Sequence, residues 1–202
     1  EVRDEFPEYG DTGMTVIEMS HRSAEYQAIH DDAKERVRRV SGAPDDFEIL
    51  FLQGGATLQF SMVPMNLLSE GNTAGYVVAG SWGEKALADA AALGGYVAWS
   101  GKESGYTTMP APDEIEVRPG TRYLHVTSNE TINGIRMVDF PDLGVPLVAD
   151  MSSDYLARPI DWRLYDIVYG GVQKNLAPAG MALVFVRKSA VEDRPELGAY
   201  LR

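Results

Sequence analysis

Short apolar runs alternate with stretches of helical periodicity along most of the chain. Seven runs predict strands: Glu48–Leu52, Gly75–Ala79, Gly95–Trp99, Arg122–Val126, Pro146–Asp150, Asp166–Tyr169 and Met181–Val186. Most are unbroken apolar stretches, rich in β-branched and aromatic residues. That is the pattern of strands covered on both faces, as in a parallel sheet. Ser23–Val40 carries Tyr26, Ile29, Ala33 and Val37 at spacings of three and four, which gathers them on one face of a helix. Leu58–Leu68 and Trp82–Leu93 predict two more helices. The alternation implies an α/β fold: a doubly wound, mainly parallel sheet with helices on both faces. One connection departs from it. Parallel neighbours need a crossover of about a dozen residues or more, usually a helix, yet Gly170–Gly180 is short and holds Gly170, Gly171, Pro178 and Gly180. The last strand is therefore expected to run antiparallel to its neighbour.

Length and composition narrow the functions open to such a fold. The 202 residues suffice for one large domain or two small ones. No repeat, low-complexity tract or long linker divides them. A net charge of −12 makes a nucleic-acid backbone an improbable partner. No apolar run approaches the ~20 residues of a membrane helix, and no signal peptide is expected from the charged start Glu1-Val2-Arg3-Asp4-Glu5. The absence of cysteine removes disulfides, thiol catalysis and cysteine-ligated zinc, and fits a reducing, cytoplasmic setting. With only His21, His30 and His125, a histidine-rich metal site is improbable.

Three strand ends carry candidate chemistry. Gln53-Gly54-Gly55-Ala56-Thr57 follows the first strand and opens a helix, where free N–H groups and the positive dipole end suit a phosphate. It is neither a Walker loop nor a G-x-G-x-x-G turn, and the bland alternative is a plain tight turn. Pro146–Asp150 ends a buried strand on a carboxylate, where ligands bind in open α/β sheets. The competing role for Asp150 is an N-cap of the next segment. Asp166–Lys174 ends the following strand on a lysine in a glycine-rich setting. Burial and cationic neighbours would lower its pKa and make it a Schiff-base amine, whereas most lysines are simply solvated. Together, a phosphate cradle, an acid and a lysine describe a pyridoxal phosphate site: donors for the phosphate, an acid for the pyridine nitrogen and an amine for the aldehyde. An aromatic cover for the ring is also expected. Trp82 stands just beyond the second strand, although core packing is the commoner role of a lone Trp.

The chain at this point resembles the phosphoserine aminotransferase family, pyridoxal-phosphate enzymes of class V with the aspartate-aminotransferase fold (fold type I). The resemblance covers essentially the whole chain. It rests on Met19-Ser20-His21-Arg22-Ser23, Gln53–Phe60, Ala79-Gly80-Ser81-Trp82, Ser128-Asn129-Glu130-Thr131-Ile132, Ala149-Asp150-Met151-Ser152-Ser153, Arg158-Pro159-Ile160-Asp161 and Gln173-Lys174-Asn175, in that order. It implies a seven-stranded, mainly parallel sheet with one antiparallel strand. It also implies that Lys174 condenses with the cofactor aldehyde and moves the substrate proton, that Asp150 pairs with the pyridinium nitrogen, and that Trp82 stacks on the ring. Ala56, Thr57 and Gln173 would bind the cofactor phosphate, and Thr131 would lie near its phenolic oxygen. Arg22 would take a substrate carboxylate, with His21 near the substrate phosphate. In some family members Gly-Arg stands in place of Ala56-Thr57 and the arginine helps to hold the substrate phosphate, so here that task falls more heavily on other residues. From the residues alone, Arg22 is as readily a solvated arginine and Thr131 carries no signal.

The implied activity is interconversion of 3-phosphohydroxypyruvate and glutamate with phosphoserine and 2-oxoglutarate, in serine and also in pyridoxine biosynthesis, by a cytoplasmic homodimer with sites at the subunit boundary. Residues 1–202 are expected to be the cofactor-binding large domain, without the family's N-terminal segment and smaller C-terminal domain. The alternatives are another class-V aminotransferase, such as the alanine–glyoxylate type, or a non-catalytic cofactor-binding fragment. A cysteine desulfurase is disfavoured, since these 202 residues hold no cysteine to serve as its nucleophile.

Overall fold

The computed structural model describes residues 6–199 and residue 201. They form two compact units, divided between Gly42 and Ala43. In the first, a run of turns leads into helix α1 (Ala24–Ser41). Ser23 caps it by accepting a hydrogen bond from the Tyr26 N–H, and Glu25 at its start and Arg38 and Arg39 at its end oppose the helix dipole. Gly42, at φ +65°, ends it in a conformation that costs glycine little.

The second unit contains strands β1 (Phe47–Gln53), β2 (Thr73–Val78), β3 (Gly95–Ser100) and β4 (Thr121–Thr127), a small hairpin of β5 (Asn129–Glu130) and β6 (Ile135–Arg136), then β7 (Leu147–Asp150), β8 (Tyr165–Gly171) and β9 (Met181–Arg187). Helices α2 (Ala56–Leu67) and α3 (Ser81–Ala90) follow β1 and β2. Seven strands join one sheet in the order β1-β9-β8-β7-β4-β2-β3. As expected, β9 is antiparallel to β8, and it is antiparallel to β1 as well. All other pairings are parallel. The carboxyl ends of β1, β2, β4, β7 and β8 therefore share one edge. Each predicted strand is present, within a residue or two at its ends. The hairpin β5–β6 was not anticipated, since two-residue strands leave no periodicity to read.

Both helices of this unit pack on one sheet face. Phe60, Val63 and Leu67 of α2 and Ala86 and Ala90 of α3 lie against Tyr76, Val148, Tyr169 and Val184. Residues of the other parity face the opposite side, where Trp162 meets Phe47 and Phe185 at ring-centroid distances of 5.0 and 4.9 Å. Among the described residues no helix is long and apolar enough to cross a membrane.

A polar chain runs through the core beneath α2. The Tyr76 and Tyr123 hydroxyls are 2.9 Å apart, His125 stacks on Tyr76, and its Nε2 lies 2.8 Å from the Tyr169 hydroxyl. Burial pushes the His125 pKa down to about 3, and its Nδ1 has no partner. The folded protein thus keeps this ring neutral where an unfolded chain, with a pKa of about 6.5, binds a proton. The stabilisation is complete above that value and is lost as pH falls toward 3, at about 1.4 kcal/mol per pH unit. His125→Gln, neutral at every pH, should lower the thermal midpoint at pH 7 but flatten its decline between pH 6.5 and 4. An equally steep acid limb in the variant would refute this.

Candidate functional site

The loops at the shared carboxyl edge enclose a cavity of about 90 Å³ whose walls include Ala56, Thr57, Trp82, Asp150, Gln173 and Lys174. The phosphate loop is built by two glycines. Gly54 adopts φ +86°, and a Cβ there would stand 3.3 Å from Leu58 Cδ2. Gly55 occupies the N-cap of α2 without a side-chain acceptor, so the first-turn N–H groups at Ala56 and Thr57 are left without a side-chain cap. A helix start of this kind favours an anion.

Asp150 ends β7, opposite Thr127 on one side and Tyr169 on the other. It is buried, and its Oδ1 accepts hydrogen bonds from the Ser152 N–H at 2.9 Å and the Ser152 hydroxyl at 2.6 Å. The Ser152 hydroxyl oxygen in turn accepts from the Gly171 N–H at 2.9 Å. Gly170 makes this closeness possible, since a Cβ there would sit 3.0 Å from the Ser152 backbone. The local cap weighed against an electronic role is therefore real, but it uses only Oδ1. Burial raises the pKa of this carboxyl, while the Ser152 hydrogen bonds and the Lys174 charge pull it down. A cation placed in the cavity beside it would relieve that cost.

Lys174 follows β8 in a turn whose Leu176 and Ala177 N–H groups return to the Val172 carbonyl. Its side chain is exposed, so the burial expected for it is absent. Contacts hold it instead: Nζ donates to Thr131 Oγ1 at 3.1 Å and stands 4.9 Å from the Trp82 ring centroid. The Lys85 amine lies 4.3 Å from the same centroid. Gln173 is exposed beside it, folded against Gly171, where a Cβ would meet its Oε1 at 2.5 Å.

The second unit thus brings together Ala56, Thr57, Trp82, Thr131, Asp150, Gln173 and Lys174. His21 and Arg22 belong to the first unit, exposed in the turn ahead of α1. Three further residues shape the site: Ser152, Thr127 and Glu130. Thr127 lines the cavity, 5% exposed, with a hydroxyl that has no partner among the described residues. Its position at a strand end was the one signal available. Glu130 is fully buried and accepts from the N–H groups of Trp82 and Gly83 at 3.1 and 2.8 Å. A partner nearly fifty residues away leaves no local pattern. The orphaned Thr127 hydroxyl, the uncapped helix start, the buried acid and the amine together match the needs of pyridoxal phosphate. A larger cavity of about 260 Å³ lies between Val138 and Tyr165, but no lysine lines it, and its Arg158 is spent on the Met137 and Val138 carbonyls and Asp154.

Fold and site define an open α/β domain that presents an amine, a buried carboxylate and an anion-binding helix start at one sheet edge. The sequence model of the family Aminotransferase class-V matches residues 2–199. The chain belongs to the class-V aminotransferase family. It is 49% identical over 194 residues to a phosphoserine aminotransferase of Niallia circulans, covering 95% of this chain and 54% of that protein. The solved phosphoserine aminotransferase from Bacillus circulans subsp. alkalophilus superposes with a TM-score of 0.96 at 48% identity, over 100% of this chain and 56% of that one. A pyridoxal-phosphate-bound phosphoserine aminotransferase from Trichomonas vaginalis superposes at 0.91 with 33% identity, over 99% of this chain and 61% of that one. The chain spans about half the length of the curated relatives it matches.

Proposed function

We propose that this chain is the pyridoxal-phosphate-binding domain of a phosphoserine transaminase, which exchanges an amino group between glutamate and 3-phosphohydroxypyruvate. The observation that carries the reading is the convergence of Lys174, Asp150 and the α2 N-terminus on one cavity within a chain so similar to named phosphoserine aminotransferases. The bound cofactor supplies an aldehyde and an electron-withdrawing ring. Ala56, Thr57 and Gln173 hold its phosphate at the helix start. The free side of Asp150 keeps a proton on the pyridine nitrogen, and Trp82 covers the ring. Lys174, steered by the Thr131 hydroxyl, provides the amine for the aldehyde and carries the proton taken from the substrate Cα. Arg22 takes a substrate carboxylate and His21 the neighbouring phosphate, because an arginine fork matches planar oxyanions. With the cofactor held by these residues, one site would serve both half-reactions in turn, so ping-pong kinetics are expected. The assembled enzyme is a cytoplasmic homodimer with its sites at the subunit boundary.

A chimaera tests this reading, with the chain replacing the matching half of the Bacillus subtilis relative, to which it is 47% identical over 190 residues. It should form glutamate from phosphoserine and 2-oxoglutarate. A folded, dimeric chimaera that binds pyridoxal phosphate yet lacks this activity would sink the assignment. The 202-residue chain by itself should bind the cofactor weakly and turn over phosphoserine negligibly, because fixing a substrate of two or three negative charges demands a complete site. Turnover comparable to the chimaera's would show that the substrate site is misplaced.

A further inference from the structure

We propose that Glu130 is the positioning residue of this site: its buried carboxylate anchors the start of α3 and thereby fixes the Trp82 ring beside Lys174. The inference rests on the functional reading above and adds a residue to it. Gly80, the N-cap of α3, has no side chain with which to cap the helix. The acceptor comes instead from hairpin β5–β6, where the two Glu130 oxygens take the N–H groups of Trp82 and Gly83. One of those donors is the backbone of the ring-bearing residue itself. The surrounding chain makes room for this carboxylate. A Cβ on Gly80 would sit 2.6 Å from Glu130 Cδ, and one on Gly83 would sit 3.2 Å from the Val77 carbonyl oxygen and 3.4 Å from Glu130 Oε1. Gly80 thus leaves room for the Glu130 carboxylate and for Asn133, whose Oδ1 is also 2.6 Å from that Cβ position, while Gly83 is required mainly by the close backbone of β2.

Burying a carboxylate is costly without compensation. Burial raises the Glu130 pKa above the usual carboxylate value and the Asp150 charge adds to the rise, while the two backbone hydrogen bonds and the Lys174 charge pull it down. A helix N-terminus adds its own favourable field. The next residue, Thr131, holds the Lys174 amine. One short hairpin therefore sets both partners of the ring–amine pair, one through Glu130 and the other through Thr131. Glu130 does not line the cavity. It acts through Trp82.

The test is a double-mutant cycle in the 202-residue chain, with pyridoxal phosphate as the titrant. Glu130→Gln keeps the shape but loses the charge and one of two acceptors. It should weaken cofactor binding about tenfold and remove the near-UV circular dichroism that Trp82→Phe identifies as belonging to Trp82. On the Trp82→Phe background the Glu130→Gln effect on binding should vanish, because residues acting as one unit are non-additive. Additive losses would overturn the proposal by showing a general structural role. Parental affinity with a parental Trp82 signal would overturn it too. If the parent itself bound no pyridoxal phosphate, the chimaera would be titrated instead, and only its failure to bind would sink the functional reading. The Trp82 signal would then decide alone: its loss in Glu130→Gln supports the anchor, and its persistence refutes it. Should Glu130→Gln not fold, Glu130→Asp retains the charge but withdraws it by one methylene and is judged by the same readouts.

Discussion

Borohydride reduction of the chain with pyridoxal phosphate should fix a pyridoxyl group on one residue, Lys174, and Lys174→Ala should carry none. In the chimaera the same substitution should cut transamination by about four orders of magnitude, since in the proposed mechanism Lys174 is both the nucleophile and the proton carrier. Peptide mapping makes the test sharp, because geometry supplies a rival. The Lys85 amine stands nearer the Trp82 centroid than the Lys174 amine does, 4.3 against 4.9 Å. Only Lys174 is also held by the Thr131 hydroxyl and lines the cavity with Asp150. An adduct on Lys85, Lys102 or Lys188 would end the assignment.

Asp150→Asn should leave the fold intact and slow transamination in the chimaera by about a thousandfold. The amide oxygen can still accept from Ser152, which preserves the local turn. What would disappear is the charge proposed to hold a proton on the ring nitrogen. Removing one member of a buried ion pair costs about 3–5 kcal/mol, and each ~1.4 kcal/mol is tenfold in rate. Near-parental rates in Asp150→Asn would show that the carboxylate serves only as a turn acceptor.

Much of this arrangement was legible in the residues. Unbroken apolar runs located all seven strands of the main sheet, and the glycine-rich link after Tyr169 gave the direction of β9. The chemistry at the ends of β1, β7 and β8 followed, because topology fixes where ligands meet an open sheet. Other features left no trace. The role of Glu130 depends on a partner nearly fifty residues distant, and the hairpin that presents it has strands of two residues each. Ser152 reads as a turn serine until its bonds to Asp150 and Gly171 are visible. Lys174 was expected to be buried. Its turn instead leaves it exposed, steered by a hydroxyl and a ring.

The place of β9 has a consequence for the order of events during synthesis. Within the sheet, β1 pairs only with β9, so Phe47 waits for Arg187 and Gln53 for Met181. On a ribosome adding about 5–20 residues per second, β1 spends several seconds as an unpaired apolar segment. Closing so long a loop is entropically unfavourable, and non-local pairing of this kind is slow. Gly54 and Gly55, at the tip of β1, gain a fixed platform only when β9 docks. Cofactor capture is thereby placed after β9 has emerged, about 130 residues after the loop that would hold the phosphate.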